Sequence, residues 1–127
     1  MYSTARTMKL DLHPGMTRED SWVVSPSHLY NPTDLPGREV LSSPSMIMEM
    51  ENSCAALARE HLADSQTTVG YHVDVKHVAP ASPGARLTTA ATLRAMKSGK
   101  LTFQVEVRSD DRLIGTGIHR RAIVPVT

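Results

Sequence analysis

Residues 44–62 constrain this chain more than any other stretch, because their apolar members recur with helical rather than strand spacing. Met46, Ile47, Met50, Cys54, Leu57, Ala58 and Leu62 follow at three- and four-residue steps, while Asn52, Arg59 and Glu60 can point outward. Pro44 suits the first helical position, where its missing N–H would be unpaired anyway, and this makes Ser43 the expected N-cap. A helix this apolar must be largely covered. At about 100° per residue Glu51 nevertheless falls on the apolar stripe, between Ile47, Cys54 and Ala58. There a carboxylate loses hydration and gains nothing unless it has a partner or chemistry to perform.

The remaining segments read as strands. Residues 17–24 form a modest strand ending at Pro26, and residues 25–37, rich in Pro, Ser, Asn and Gly, read as a long irregular connection of the kind that serves as a lid or substrate-binding loop. After the helix, residues 69–78 alternate apolar and polar, and Pro80, Pro83 and Gly84 then enforce a turn. In residues 86–96, Leu87, Ala91 and Leu93 share one face; Ser98 and Gly99 make a tight hairpin; Leu101, Phe103, Val105 and Val107 alternate; and Asp110 and Asp111 turn the chain into residues 113–124. Consecutive hairpins predict an antiparallel meander. One long helix across an antiparallel sheet of about five strands is an α+β layer architecture, with the sheet curled around the helix. Counting by twos places His77 on the same face as Val69, Val73 and Val75, so an imidazole is expected to face the interior the helix covers.

The chain has 127 residues, 40% of them apolar, which is one domain's worth of core, residues 1–127. Fourteen basic residues against thirteen acidic ones leave no broad basic surface for nucleic acid. The single cysteine, Cys54, excludes an internal disulfide and reads as a small buried hydrophobe. No apolar block has signal-peptide or membrane-span length, so a cytoplasmic setting is expected. His72 and His119 lack the companions a metal site requires, and neither a metal nor a cofactor is expected. A lone five-stranded sheet leaves an edge open, which pairing with a second copy would cover.

Three strings in this order, "EVLSSPSMIMEMENSCAAL", "TVGYHVDVKHVAPASPGARL" and "LIGTGIHRRAIV", resemble the fluoroacetyl-CoA thioesterase family of hotdog proteins. With the intervening strands they cover roughly the C-terminal two-thirds of the chain. The resemblance implies a catalytic set of Ser43, Glu51 and His77, with Gly70 near the reacting thioester and Arg121 toward the end of the last strand. It also implies a homodimer, or a dimer of dimers, with sites at the subunit boundary. Two departures stand out. The family's hydroxyl is usually threonine followed by glycine, whereas here Ser43 precedes Pro44. The fluoroacetate-specific enzyme carries phenylalanines around its acyl pocket, whereas Phe103 is this chain's one phenylalanine and Tyr30 the one aromatic of the long loop. A different acyl group is therefore expected.

Hydrolysis of a small or medium acyl-CoA needs an attacking group, a route for protons and donors for the oxyanion. Glu51 supplies a base for water or a direct nucleophile, and His77 a shuttle toward the departing thiolate. Ser43 lies where helix N–H groups and positive dipole favour an anion, and backbone N–H groups around Gly70 add donors. Arg86, Arg94, Lys97 and Lys100 are cations available to the coenzyme A phosphates. Each residue has a plainer reading: Ser43 as a helix cap, Glu51 in a structural ion pair, His77 as a core histidine, Arg121 as a solvated or interface charge. At the level of activity the alternatives are an acyl-thioester hydratase or dehydratase and a non-catalytic acyl-CoA-binding protein.

Overall fold

The computed structural model describes residues 11–126; residues 1–10, which fall in the N-terminal segment without a signal-like apolar block, lie outside the described residues, as does Thr127. Strand β1 (Thr17–Val23) comes first, followed by a 3-10 turn (Pro26–His28), the short strands β2 (Leu29–Tyr30) and β3 (Val40–Leu41), and helix α1 (Ser43–Arg59). Four long strands follow: β4 (Gln66–His77), β5 (Arg86–Lys97), β6 (Lys100–Ser109) and β7 (Arg112–Pro125). The main sheet is antiparallel with order β1-β5-β6-β7-β4, and α1 packs against one face of it. The architecture is α+β, as the patterning predicts.

Alternation places the core. Leu87, Ala91 and Leu93 of β5 and Leu101, Phe103, Val105 and Val107 of β6 are fully buried against Met46, Met50, Cys54, Leu57 and Ala58 of α1. Each of the larger ones, Leu, Val, Met and Phe, contributes about 1.5–3 kcal/mol when withdrawn from water, and that stripe holds the helix down. At Gly115 of β7 the helix side chains leave no room for a Cβ, which would stand 2.4 Å from Met46 Sδ. A second tie is polar. Buried Ser53 donates to Asp20 Oδ2 on β1 at 2.7 Å, and Arg18 pairs with both Asp20 (3.0 Å) and Glu60 (2.8 Å). Arg18, more than any other neighbour, holds the Asp20 carboxyl below its ordinary value.

The hairpin at Ser98 and Gly99 is as expected, with positive φ at both (53° and 77°), the pairing that joins twisted strands in two residues. The meander, however, comprises only β5, β6 and β7. β4 pairs with β7 at the far edge, because residues 78–85 carry the chain across the end of the sheet before β5 begins beside β1. Hydrogen bonds from Val78 N to Ile114 O, Leu41 N to Ala81 O and Val24 N to Ala85 O pin that crossing. Residues 25–37 are also less irregular than composition suggests, since β2 and β3 pair within them and just beyond. His28 anchors the segment: its Nδ1 accepts from Ser25 N at 2.9 Å, its ring meets Trp22 edge-on, and its Nε2 lies 3.6 Å from Glu49 on α1.

Candidate active site

The helix begins one residue earlier than Pro44 predicts, and this decides what Ser43 does. Ser42 is the N-cap, its Oγ accepting from Ser45 N at 3.2 Å. Pro44 then occupies the second helical position, where its absent N–H again costs no bond. Ser43 is thereby released from capping, and its Oγ lies 2.7 Å from His77 Nδ1 across the gap between α1 and β4. Among the described residues His77 Nε2, which is buried, has no hydrogen-bond partner. Native proteins rarely leave such an atom unpaired, since that costs about 1–3 kcal/mol, and a bound water or ion, strain or a catalytic role accounts for those that do occur. Ser43 and His77 line a cleft of about 340 Å³ with Tyr30, Pro32, Val40 and Val78. The loop read as a lid supplies Tyr30 and Pro32 to its wall.

Glu51 sits two turns further along α1, ~12 Å by helical rise. Its side chain is 32% exposed, and Oε1 lies 3.7 Å from His119 Nε2 and 3.9 Å from Arg121 Nη1, both on β7. Arg121 is not the solvated charge that its neighbours in sequence suggest. It is buried, donating from Nε to Thr68 Oγ1 (2.8 Å) and from Nη2 to the Thr68 carbonyl (3.0 Å). Burial draws its guanidinium below the ordinary value and Glu51 opposes that shift. The same burial pushes the Cys54 thiol up to about 12, so this cysteine is no nucleophile at neutral pH.

Gly70 completes this second grouping. A Cβ there would stand 2.9 Å from His119, 3.0 Å from Glu51 Oε1 and 3.1 Å from Arg121 Nη1, so the three side chains converge where only a hydrogen is present. Counting by twos cannot place Gly70 and His77, seven residues apart, on one face. A β-bulge does so: Gly70 pairs with Arg121, His72 with Arg120, and the intervening Tyr71 is the extra residue. Val69 consequently leaves the face it was expected to share with His77, and is 49% exposed. Thr68 takes the buried place instead.

The five expected residues thus form two groupings, Ser43 with His77 and Glu51 with Gly70 and Arg121. Among the described residues no hydrogen bond or ion pair joins Glu51 to His77 within one protomer. His119, noticed in the sequence only as a rejected metal ligand, belongs to the second grouping. Its alternation with Arg121 was the signal available. The basic residues considered for coenzyme A are dispersed: Arg86 begins β5 and Lys97 ends it, ~35 Å apart along the strand. Lys97 and Lys100 face each other at the hairpin, and Lys100 lies 5.5 Å from the Tyr71 ring centroid. Among the described residues no His, Cys, Asp or Glu cluster has the geometry to hold a metal ion, and no helix is long and apolar enough to cross a membrane.

A five-stranded antiparallel sheet around one central helix, with polar residues gathered along that helix, defines the hotdog class. The chain belongs to the fluoroacetyl-CoA-specific thioesterase (FlK) family, whose match spans residues 24–127, and it is a thioesterase by that membership. The solved structure of the fluoroacetyl-CoA thioesterase FlK superimposes with a TM-score of 0.80 at 26% identity, covering 89% of this chain and 88% of that one. A hypothetical thioesterase-superfamily protein from Thermus thermophilus has TM-score 0.80 at 24% identity, over 89% of this chain and 84% of its own. A hot-dog-like protein from Thermanaerovibrio acidaminovorans has TM-score 0.81 at 20% identity over the same shares. The latter two speak to the fold alone. No curated protein sequence matches the chain.

Proposed function

We propose that this protein hydrolyses the thioester of a small or medium acyl-CoA, releasing the free acid and coenzyme A. The reading is carried by the hydroxyl–imidazole contact at 2.7 Å beside the cleft, with His77 Nε2 left unpartnered. Ser43 fixes the ring through Nδ1, so Nε2 is the atom left to exchange a proton with substrate. Glu51 provides the carboxylate that acts at the acyl carbon, either removing a proton from water or attacking directly. In the first route water's oxygen bonds to the carbonyl carbon, the C–S bond breaks, and the proton passes by way of His77 to the departing thiolate. In the second an acyl–Glu51 anhydride forms as the thiolate leaves, and water then cleaves it. Arg121 and the backbone at Gly70 flank the carboxylate as substrate-binding groups. Family membership and the solved complex of a FlK variant with fluoroacetate and CoA support the substrate class.

The same reading needs a second copy of the chain. β4 is an edge strand of twelve residues, and Val69, Tyr71 and Val73 on it are 43–50% exposed. An edge this long and apolar is a template for strand pairing. In a homodimer closed along β4, the Glu51 grouping of one protomer would lie near the Ser43–His77 cleft of its partner, uniting the two halves of the site.

Thiol release from a panel of acyl-CoAs of increasing chain length tests the assignment. Glu51→Gln and His77→Ala should each lower kcat/KM by roughly a hundredfold or more, the usual loss when an acid/base group is removed. Wild-type turnover in both variants would refute it. Single turnover in ¹⁸O-water tests the second route, because label enters Glu51 only when an acyl–Glu51 anhydride forms and water cleaves it at the Glu51 carbon.

A further inference from the structure

His119 has no part in the reaction as just described, yet it is 1% exposed and makes two directed contacts. Its Nδ1 lies 2.8 Å from the His72 carbonyl oxygen and its Nε2 lies 3.1 Å from Arg121 Nη1. A carbonyl can only accept and a guanidinium only donate, so Nδ1 bears the proton, Nε2 presents its lone pair, and the ring is neutral. Burial acts in the same sense, holding this imidazole below its ordinary value. Nε2 and Glu51 Oε1, 3.7 Å apart, are then both acceptors, and Arg121 Nη1, 3.1 Å from the first and 3.9 Å from the second, is the donor beside them. Arg121 is gripped on each of its three nitrogens: Nε and Nη2 by Thr68, Nη1 by His119. The anchor of the arrangement, the His72 carbonyl, belongs to the residue that closes the bulge.

Resting on the reading that Glu51 acts on the thioester, we propose that His119 is a positioning residue: its neutral imidazole, tied to the β4 bulge, holds Arg121 Nη1 beside Glu51 and so fixes the carboxylate against Gly70. It makes no hydrogen bond to the reacting carboxylate and works through Arg121.

Two amides divide the ring's contacts. Asparagine places its N–H where Nδ1 was and can keep the bond to His72 while losing the acceptor for Arg121. Glutamine reaches the Nε2 position and can keep that acceptor. A purely structural histidine would make the two variants fail alike. On folded, full-length protein, checked by melting temperature, His119→Asn should lower kcat about tenfold with KM within about twofold, whereas His119→Gln should retain kcat within about threefold. In an Arg121→Lys background His119→Asn should cost little more, as expected of residues acting in series. Equal losses in the two amide variants, a loss confined to KM, or full additivity with Arg121→Lys would overturn the proposal. Glu51→Gln is measured alongside. If it turns over like wild type, the underlying reading falls; if it is inactive while His119→Asn is unimpaired, only the positioning role falls.

Discussion

Helix α1 carries two polar groupings that differ in how fully their hydrogen bonds are met. At its N-terminus, Ser43 and His77 border an open cleft, and one buried ring nitrogen of His77 has no partner among the described residues. Two turns on, every nitrogen of Arg121 and both ring nitrogens of His119 are engaged, and solvent reaches this grouping at Gly70 and, in part, at Glu51. The contrast separates tasks. A group that must exchange protons is left short of partners, whereas a group that must hold another in place is saturated with them.

Four substitutions and a change of pH press on this contrast, from the largest expected effect downward. Arg121→Ala strips the saturated grouping of its centre, leaving buried His119 Nε2 and the Thr68 carbonyl without a donor. It should cost about 3 kcal/mol, read as a fall in Tm on the order of 10 °C. An unchanged Tm would show that the network is not a support. Gly70→Ala inserts a Cβ against three side chains at once. Displacing the Glu51 carboxylate should lower kcat by about tenfold or more, with a smaller loss of stability than Arg121→Ala. Should the two effects rank the other way, the saturated grouping would be structural alone.

The adjacent serines give a cleaner division. Ser42→Ala removes the cap and should cost about 1 kcal/mol in stability with kcat nearly intact. Ser43→Ala should do the reverse, lowering kcat roughly tenfold with stability within about 0.5 kcal/mol. Exchange of these phenotypes would return the capping role to Ser43.

The smallest effect is on pH dependence. His119 is held below its ordinary 6.5, first by burial, so the unfolded chain binds this proton more readily than the folded one. Its contribution is complete above about pH 6.5 and is lost as pH falls through the lower folded value. Asp20, held below its ordinary 3.8 chiefly by Arg18, acts with the same sign in more acidic solution. The urea midpoint should therefore be lower at pH 5 than at pH 7.5, and His119→Gln should narrow that gap.

What the sequence by itself determined was everything governed by local period and local chemistry. The three-and-four spacing from Met46 to Ala58 specified an amphipathic helix; alternation in residues 101–107 specified a half-buried strand; Ser98 and Gly99 specified a two-residue turn. An acidic side chain on an apolar stripe marked Glu51 before any coordinates did. Only the tertiary structure decided the rest. Ser42 and Ser43 are equally good caps, and Pro44 loses no hydrogen bond at either of the first two helical positions, so packing chose between them. The bulge at Tyr71 reversed the side-chain parity between Gly70 and His77, which no count by twos can foresee. Arg121 reads as a solvated charge until Thr68 and His119, distant and near in sequence, are brought to its nitrogens. The sheet order, with β4 carried across to pair with β7, rests on long-range hydrogen bonds whose partners leave no mark on local sequence.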